Sequence, residues 1–298
     1  MTELPEASAV DIAALLVAMR PKLHRYCARM VGSVIDGEDV LQDALIKAVE
    51  AYASAGEFGN PVANFEGWLF RIAHNTALDF LRRRQRLEAL RGVEEVDMMP
   101  DQADAVERRQ IASASLRTFM RLPVAQRASV ILMDVLGCSL REVCDVMDYS
   151  LPAAKAALHR GRTLLREIAD EPEDAPHPML SDADRERLGV YIAHFNARDF
   201  DAIRAMIADD VRLELVSKTR LNGKAEVSRY FSNYSSVSDW HLVPGLVEGH
   251  PAILVFDPND RDSGRQYFVL LNWAAGKVAT IRDFRHAPYV IEGAEYQV

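Results

Sequence analysis

The sequence predicts a multidomain chain: two all-α domains, a helical bundle and then a helix-turn-helix, followed by an α+β domain with a curved, mostly antiparallel sheet. Three observations predict it. Apolar residues recur at helical spacing from Ile12 to Ala169. Two segments interrupt that pattern, an acidic one at 93–105 and a proline-rich one at 171–180. Beyond the second, helical periodicity gives way to short runs with strand chemistry. A length of 298 residues suits two or three domains rather than one.

Ile12 to Val31 has helical spacing, broken at Pro21. Glu38 to Tyr52 is a second helix, with Val40, Leu41, Ala44, Leu45, Ala48 and Val49 on one side. Gly56, Gly59 and Pro61 mark a loop. Phe65 to Arg86 is a long helix, aromatic at its start and arginine-rich at its end. Helix resumes with Leu116 to Leu122, Val124 to Leu136 and two short helices. Pro172, Pro176 and Pro178 mark the next boundary. Asp182 to Ala208 reads as two helices. Strands are expected at 211–216, 252–256, 266–273 and 278–284, with Gly276 in a hairpin turn. The expected domains are 1–92, 106–170 and 181–298, joined by linkers at 93–105 and 171–180.

The sharpest local signal is Cys138 to Ile168. Ser139 and Glu142 form a capping box: the hydroxyl accepts the Glu142 N–H, and the carboxylate reaches back. Asp148-Tyr149-Ser150 makes a turn, Ser150 caps the next helix, and Pro152 is tolerated in its first turn. Ala154, Leu158 and Leu165 face inward, while Lys155, His159, Arg160 and Arg162 are expected to point away. Two helices with a basic second member fit the helix-turn-helix that enters a major groove. By spacing alone, the same segment is equally a small bundle with a solvated basic face.

Composition sets bounds. The net charge is −9, which argues at first against nucleic acid, but the basic residues are clumped. Arg82, Arg83, Arg84 and Arg86 form one block; Lys155, His159, Arg160, Arg162 and Arg166 form another. No stretch approaches the roughly 18 uninterrupted apolar residues of a membrane span, and residues 1–10 lack the basic start and apolar core of a signal peptide. The three cysteines, Cys27, Cys138 and Cys144, have neither zinc-site nor disulfide spacing. A reduced, cytoplasmic setting is expected, with no metal and no cofactor.

Read together, the two helical regions resemble the sigma-70 family. Asp36-Gly37-Glu38-Asp39-Val40-Leu41-Gln42-Asp43-Ala44 is similar to the acidic stretch of region 2. Trp68-Leu69, Ile72-Ala73, Asn75, Asp79 and Arg82-Arg83 follow the family's "W-L-x-x-I-A-x-N-x-x-x-D-x-x-R-R" run. Leu122-Pro123 and Arg127 resemble the "L-P-x-x-x-R" that opens region 4, and Ala154 to Arg162 resembles its recognition helix. No region 1 or region 3 domain intervenes, as in the extracytoplasmic-function (ECF) subgroup. The resemblance covers about residues 10 to 170.

That resemblance implies roles. Asp39, Gln42 and Asp43 would meet the coiled coil of the largest subunit of core RNA polymerase. The helix from Phe65 would open and read the −10 element of promoter DNA, with Phe58 and Asn75 around a flipped base. Arg82, Arg83, Arg84 and Arg86 would hold phosphates. Phe65 and Trp68, aromatics at helical spacing, are expected in the core instead. Lys155, His159, Arg160 and Arg162 would contact the −35 element. Ala156 and Ala157 replace the family's frequent Ser and Arg, which leaves fewer polar side chains for the bases and points to weaker or shape-based readout.

The last third resembles the SnoaL-like branch of the NTF2-like cone. The residues carrying this are Tyr191 to Ile203, Leu221-Asn222-Gly223-Lys224, and Ile281-Arg282-Asp283-Phe284-Arg285. Asn222-Gly223-Lys224 is a reduced form of the "D-G-G-G-K" of one sigma group, and the chain is not assigned to that group. The cone implies a pocket for a small-molecule ligand, with Asn222, Gly223, Lys224, Trp240, Trp273, Asp283 and Arg285 as pocket or regulatory residues. Asp283, His286, His194 and His241 have acid–base character. Asp283 stands beside two arginines as an ion pair would, however, and no catalytic residue is assigned. The short tether implies intramolecular contact with the sigma domains and a regulatory role.

Overall fold

The computed structural model describes residues 12–54, 64–88, 111, 114–169, 179–234, 240–257 and 265–298. The chain forms two compact units, Met1–Pro172 and Glu173–Val298.

Among its described residues the first unit contains helices and no strand. It contains α1 (Ile12–Val31), α2 (Val34–Ser54), α3 (Phe65–Glu88), α4 (Leu116–Met120), α5 (Val124–Val130), α6 (Leu140–Met147) and α7 (Leu151–Ala169). Helix α5 runs on through a π-helical turn, Ile131–Val135. The expected break at Pro21 is absent, and α1 is continuous through it. Proline deprives the carbonyl four residues back of its donor, and here that residue is Val17, which is 67 % exposed. Water can serve that carbonyl, so the helix survives.

Helix α1 packs closely on α2. A Cβ on Gly37 would lie 2.6 Å from the Ala28 Cα, so no larger residue fits this crossing. Leu23, Tyr26, Met30, Leu41, Leu69 and Phe70 fill the core beneath it. Phe65 and Trp68, expected there, are only half-buried; their rings stand 5.5 Å apart at the start of α3. The α3 stripe that enters the core begins one residue later, at Leu69 and Phe70, and continues through Ala73 and Ala77 to Leu81.

The two helical regions join within this unit. Arg127 of α5 is buried, and donates to the Met30 carbonyl at the end of α1 at 2.5 Å and to the Leu122 carbonyl at 2.8 Å. Arg29 of α1 lies over the Phe119 ring of α4, 5.6 Å from its centroid. Arg71 of α3 donates through Nε to the Asp145 carbonyl of α6 at 2.9 Å.

The second unit is α+β, as the sequence predicts. Its elements are α8 (Asp182–Asn196), α9 (Phe200–Met206), β1 (Ile207–Leu215), β2 (Thr219–Asn222), α10 (Lys224–Tyr234), β3 (His241–Val247), β4 (His250–Phe256), β5 (Arg265–Ala274), β6 (Lys277–Asp283) and β7 (Tyr296–Gln297). The sheet order is β2-β1-β6-β5-β4-β3-β7. Every pairing is antiparallel except β1 with β6. Ala275 and Gly276, both at positive φ, turn β5 into β6, as Gly276 foretold. Register shifts in β1, β4 and β5 mark irregularities of the kind that bend strands. Aromatic residues of the helices, among them Tyr191, Phe195, Phe200, Phe231 and Tyr234, are buried together with Trp240. No helix among the described residues is long and apolar enough to cross a membrane.

Candidate nucleic-acid and partner interfaces

Helix α2 separates its acidic residues by face. Glu38 is buried and accepts from Arg20 at 2.8 Å. Asp39 and Asp43 are exposed, and Gln42 is partly exposed between them. The i, i+3, i+4 spacing places these three on one outward face.

On α3 the sequence-expected residues divide. Asn75, Arg82, Arg83 and Arg86 are exposed. Arg82 also donates to Asp79 at 3.1 Å. Arg84, expected with them on the outward face, is turned inward instead. It is half-buried and donates to the Val31 carbonyl at 3.1 Å, so it caps the end of α1 instead of standing with its neighbours on the outward surface. Arg86 shares a side with Arg82 and Arg83 through i, i+4 and i, i+3 spacing, whereas Arg84, two positions from both Arg82 and Arg86, points the other way. Phe58 lies outside the described residues.

Behind this surface are two buried histidines. His24 bonds the Val34 carbonyl at 2.9 Å, and His74 Nδ1 lies 2.6 Å from the Tyr26 hydroxyl. Burial pulls both imidazoles down to about 4. Arg29, Arg20 and Arg25 reinforce the effect at His24, and Arg82 does so at His74.

The helix-turn-helix is built as its residues dictate. Ser139 accepts the Glu142 N–H at 3.3 Å, and Glu142 accepts the Ser139 N–H at 2.7 Å. Those bonds lower the Glu142 carboxyl. Asp148 ends α6 in the left-handed region, φ 56°. The Ser150 hydroxyl then caps α7 by accepting from Ala153 at 3.4 Å. Lys155 is exposed, and His159 and Arg160 are half-buried. Arg162, expected to point away from the domain, points into it instead. It is buried, and its guanidinium makes two bonds to Asp134, Nε to Oδ2 at 2.9 Å and Nη2 to Oδ1 at 2.5 Å. Its position falls beside Leu158 and Leu165 on the inward stripe. The turn also exposes Tyr149 and Leu151, which the sequence reading did not select.

In the second unit, Asp283 is fully buried at the end of β6. One oxygen accepts from the Tyr230 hydroxyl at 2.5 Å and the Tyr234 hydroxyl at 3.1 Å; the other accepts the Arg285 N–H at 2.8 Å. Arg285 donates to the Tyr267 hydroxyl at 3.2 Å. Burial, and then the Asp283 charge, raise Tyr230, Tyr234 and Tyr267, the last to about 12. The expected ion pair of Asp283 with its flanking arginines is therefore corrected to a tyrosine cluster. Arg282 pairs with Glu214 at 2.9 Å instead. Trp240 is buried, and Trp273 is half-buried in β5. Asn222 is exposed, with its backbone N–H donating to Glu226 at 3.0 Å, and the half-buried Lys224 lies 3.8 Å from Asp209. Gly223 between them has φ +79°, a left-handed turn into α10.

Comparison with known proteins gives three family matches. Residues 15–87 match Sigma-70 region 2, residues 116–165 match Sigma-70 region 4, and residues 190–285 match the SnoaL-like domain. The ECF RNA polymerase sigma factor SigG of Mycobacterium tuberculosis is 27% identical, with 83% of this chain and 73% of the relative covered. The ECF RNA polymerase sigma factor SigM of the same species is 33% identical, with 49% of this chain and 71% of the relative covered. The crystal structure of the M. tuberculosis extracytoplasmic function sigma factor SigJ aligns with 92% of this chain and 95% of its own, at 19% identity and a TM-score of 0.34.

Proposed function

The chain belongs to the ECF family of RNA polymerase sigma factors, and from that premise we infer that it joins core polymerase in the cytoplasm, recognises promoter −10 and −35 elements and starts transcription. One observation carries the reading. A single unit presents, in chain order, an outward acidic face at Asp39, Gln42 and Asp43, an outward basic face at Arg82, Arg83 and Arg86, and a capped helix-turn-helix with Lys155 exposed. The acidic face takes the coiled coil of the largest polymerase subunit. Asn75 and the arginines of α3 take the −10 strand and its phosphates. Lys155, His159 and Arg160 take the −35 duplex.

The division into domains 1–92, 106–170 and 181–298 belongs to this proposal. The matched spans, 15–87, 116–165 and 190–285, fall within those three domains. The C-terminal domain modulates output without catalysis. Its tether of about ten residues keeps its effective concentration against the helical domains high, of millimolar order. Both oxygens of Asp283 are engaged by donors, a poor state for a general base.

Purified protein should co-purify with core polymerase at low salt and initiate from a specific promoter in a run-off assay. Failure to bind core under those conditions removes the reading.

A further inference from the structure

Tyr149 and Leu151 are 38 % and 50 % exposed at the point where the helix-turn-helix turns into α7. Their placement is fixed. The Tyr149 N–H donates to the Cys144 carbonyl at 3.1 Å, and the Ser150 cap holds the first turn of α7. Leu151, Pro152, Ala153 and Lys155 are all exposed, and Ala156 is half-buried. The first residues of the second helix are those such a motif presents to base edges. Here they offer one cation and otherwise only carbon.

The chemistry of the groove then restricts what this surface can read. Guanine, adenine and cytosine offer polar edges in the major groove; thymine adds an apolar C5-methyl group. Lys155 is one helical turn from Leu151 and so adjoins it. Its charge suits a polyanion rather than an apolar protein groove. We propose that Tyr149 and Leu151 form an apolar tip that reads thymine methyl groups in the −35 element, while Lys155 holds the neighbouring backbone. This rests on the promoter-recognition reading above and names the determinant of its −35 specificity.

The test uses holoenzyme assembled from the full chain and core polymerase. A duplex pool randomised across the −35 region is selected for binding, and each enriched thymine is then replaced by deoxyuridine, which lacks only the methyl. Thymine should be enriched at one or two positions, and each such replacement should weaken binding about fourfold, the worth of one buried methyl-sized group. Leu151→Ala should bind thymine and deoxyuridine duplexes alike, whereas Leu151→Met should keep the preference. Enriched sites indifferent to the replacement overturn the inference while leaving promoter recognition intact. If Leu151→Ala weakens binding to core polymerase itself, the tip is a protein contact and the inference is wrong. If wild-type holoenzyme enriches no sequence, the promoter reading fails and takes this one with it.

Discussion

Arg162 and Asp134 form a buried, two-pronged ion pair that ties the recognition helix α7 to the π-helical turn after α5. The Asp134 side chain is fully buried and that of Arg162 nearly so. Such a pair adds little net stability over an apolar pair of the same shape, but removing one partner strands a buried charge.

Arg162→Met or Asp134→Leu alone should therefore destabilise the helical unit by about 3–5 kcal/mol, while the double substitution should recover most of the loss. Thermal melts measure the stability, and promoter binding at a temperature where both proteins are folded measures the role. A double variant that folds yet loses −35 affinity would return Arg162 to the DNA-contacting set.

The buried histidines make the helical unit acid-sensitive. Each has a native value of about 4 against 6.5 for the exposed group. Between those values the unfolded chain holds the extra proton, so stability is full above pH 6.5 and declines as pH falls toward 4. The loss reaches on the order of 3 kcal/mol per histidine. Denaturant melts at pH 7.5 and 4.5 should show it, and His74→Gln should flatten the dependence. Equal slopes in the wild type and the variant would contradict the assignment.

Asp39→Asn with Asp43→Asn should leave thermal stability within about 0.5 kcal/mol, since both side chains are exposed. Affinity for core polymerase should fall roughly tenfold at low salt, and less as salt screens the contact. Direct binding of the holoenzyme to a short −35 duplex should be nearly unaffected once assembly is saturated. No change in core affinity would favour an ordinary DNA-binding regulator.

Deleting residues 171–298 should change promoter output severalfold in one direction in a reconstituted run-off assay. Unchanged output would deny the C-terminal domain its regulatory role.

Asp283→Ala should destabilise the C-terminal unit by about 1.5–3 kcal/mol or more, because the Tyr230 and Tyr234 hydroxyls lose a charged acceptor. Tyr230→Phe should cost less, since Tyr234 and the Arg285 N–H still serve the carboxylate. Transcription by folded Tyr230→Phe protein should match wild type. Loss of output without loss of fold would point to chemistry at this cluster.

Much of the architecture is legible from local chemistry. The capping box at Ser139 and Glu142 and the hairpin at Gly276 depend on neighbouring residues alone, and each forms where the sequence places it. Strand β3 and helix α10 were not expected. Pro244 and Gly245 interrupt β3, yet it pairs along its whole length with β4 and packs beneath α8. Helix α10 is short and dense in Ser, Tyr, Phe and Asn, residues of modest helix propensity. In both, tertiary packing outweighs intrinsic preference.

The two helical regions, the α+β domain behind them and the family are all readable from the chain, because motif order, caps and periodicity are local properties of it. Which arginines face outward depends on contacts made in the folded chain. Arg82, Arg83 and Arg84 are adjacent letters of one basic block, yet Arg84 turns in to the Val31 carbonyl. Arg162 belongs to the basic run of the recognition helix, yet it is claimed by Asp134, 28 positions earlier in the chain. A helix rotates each residue about 100° from the last. The partner waiting at that angle comes from a distant segment that no local pattern records.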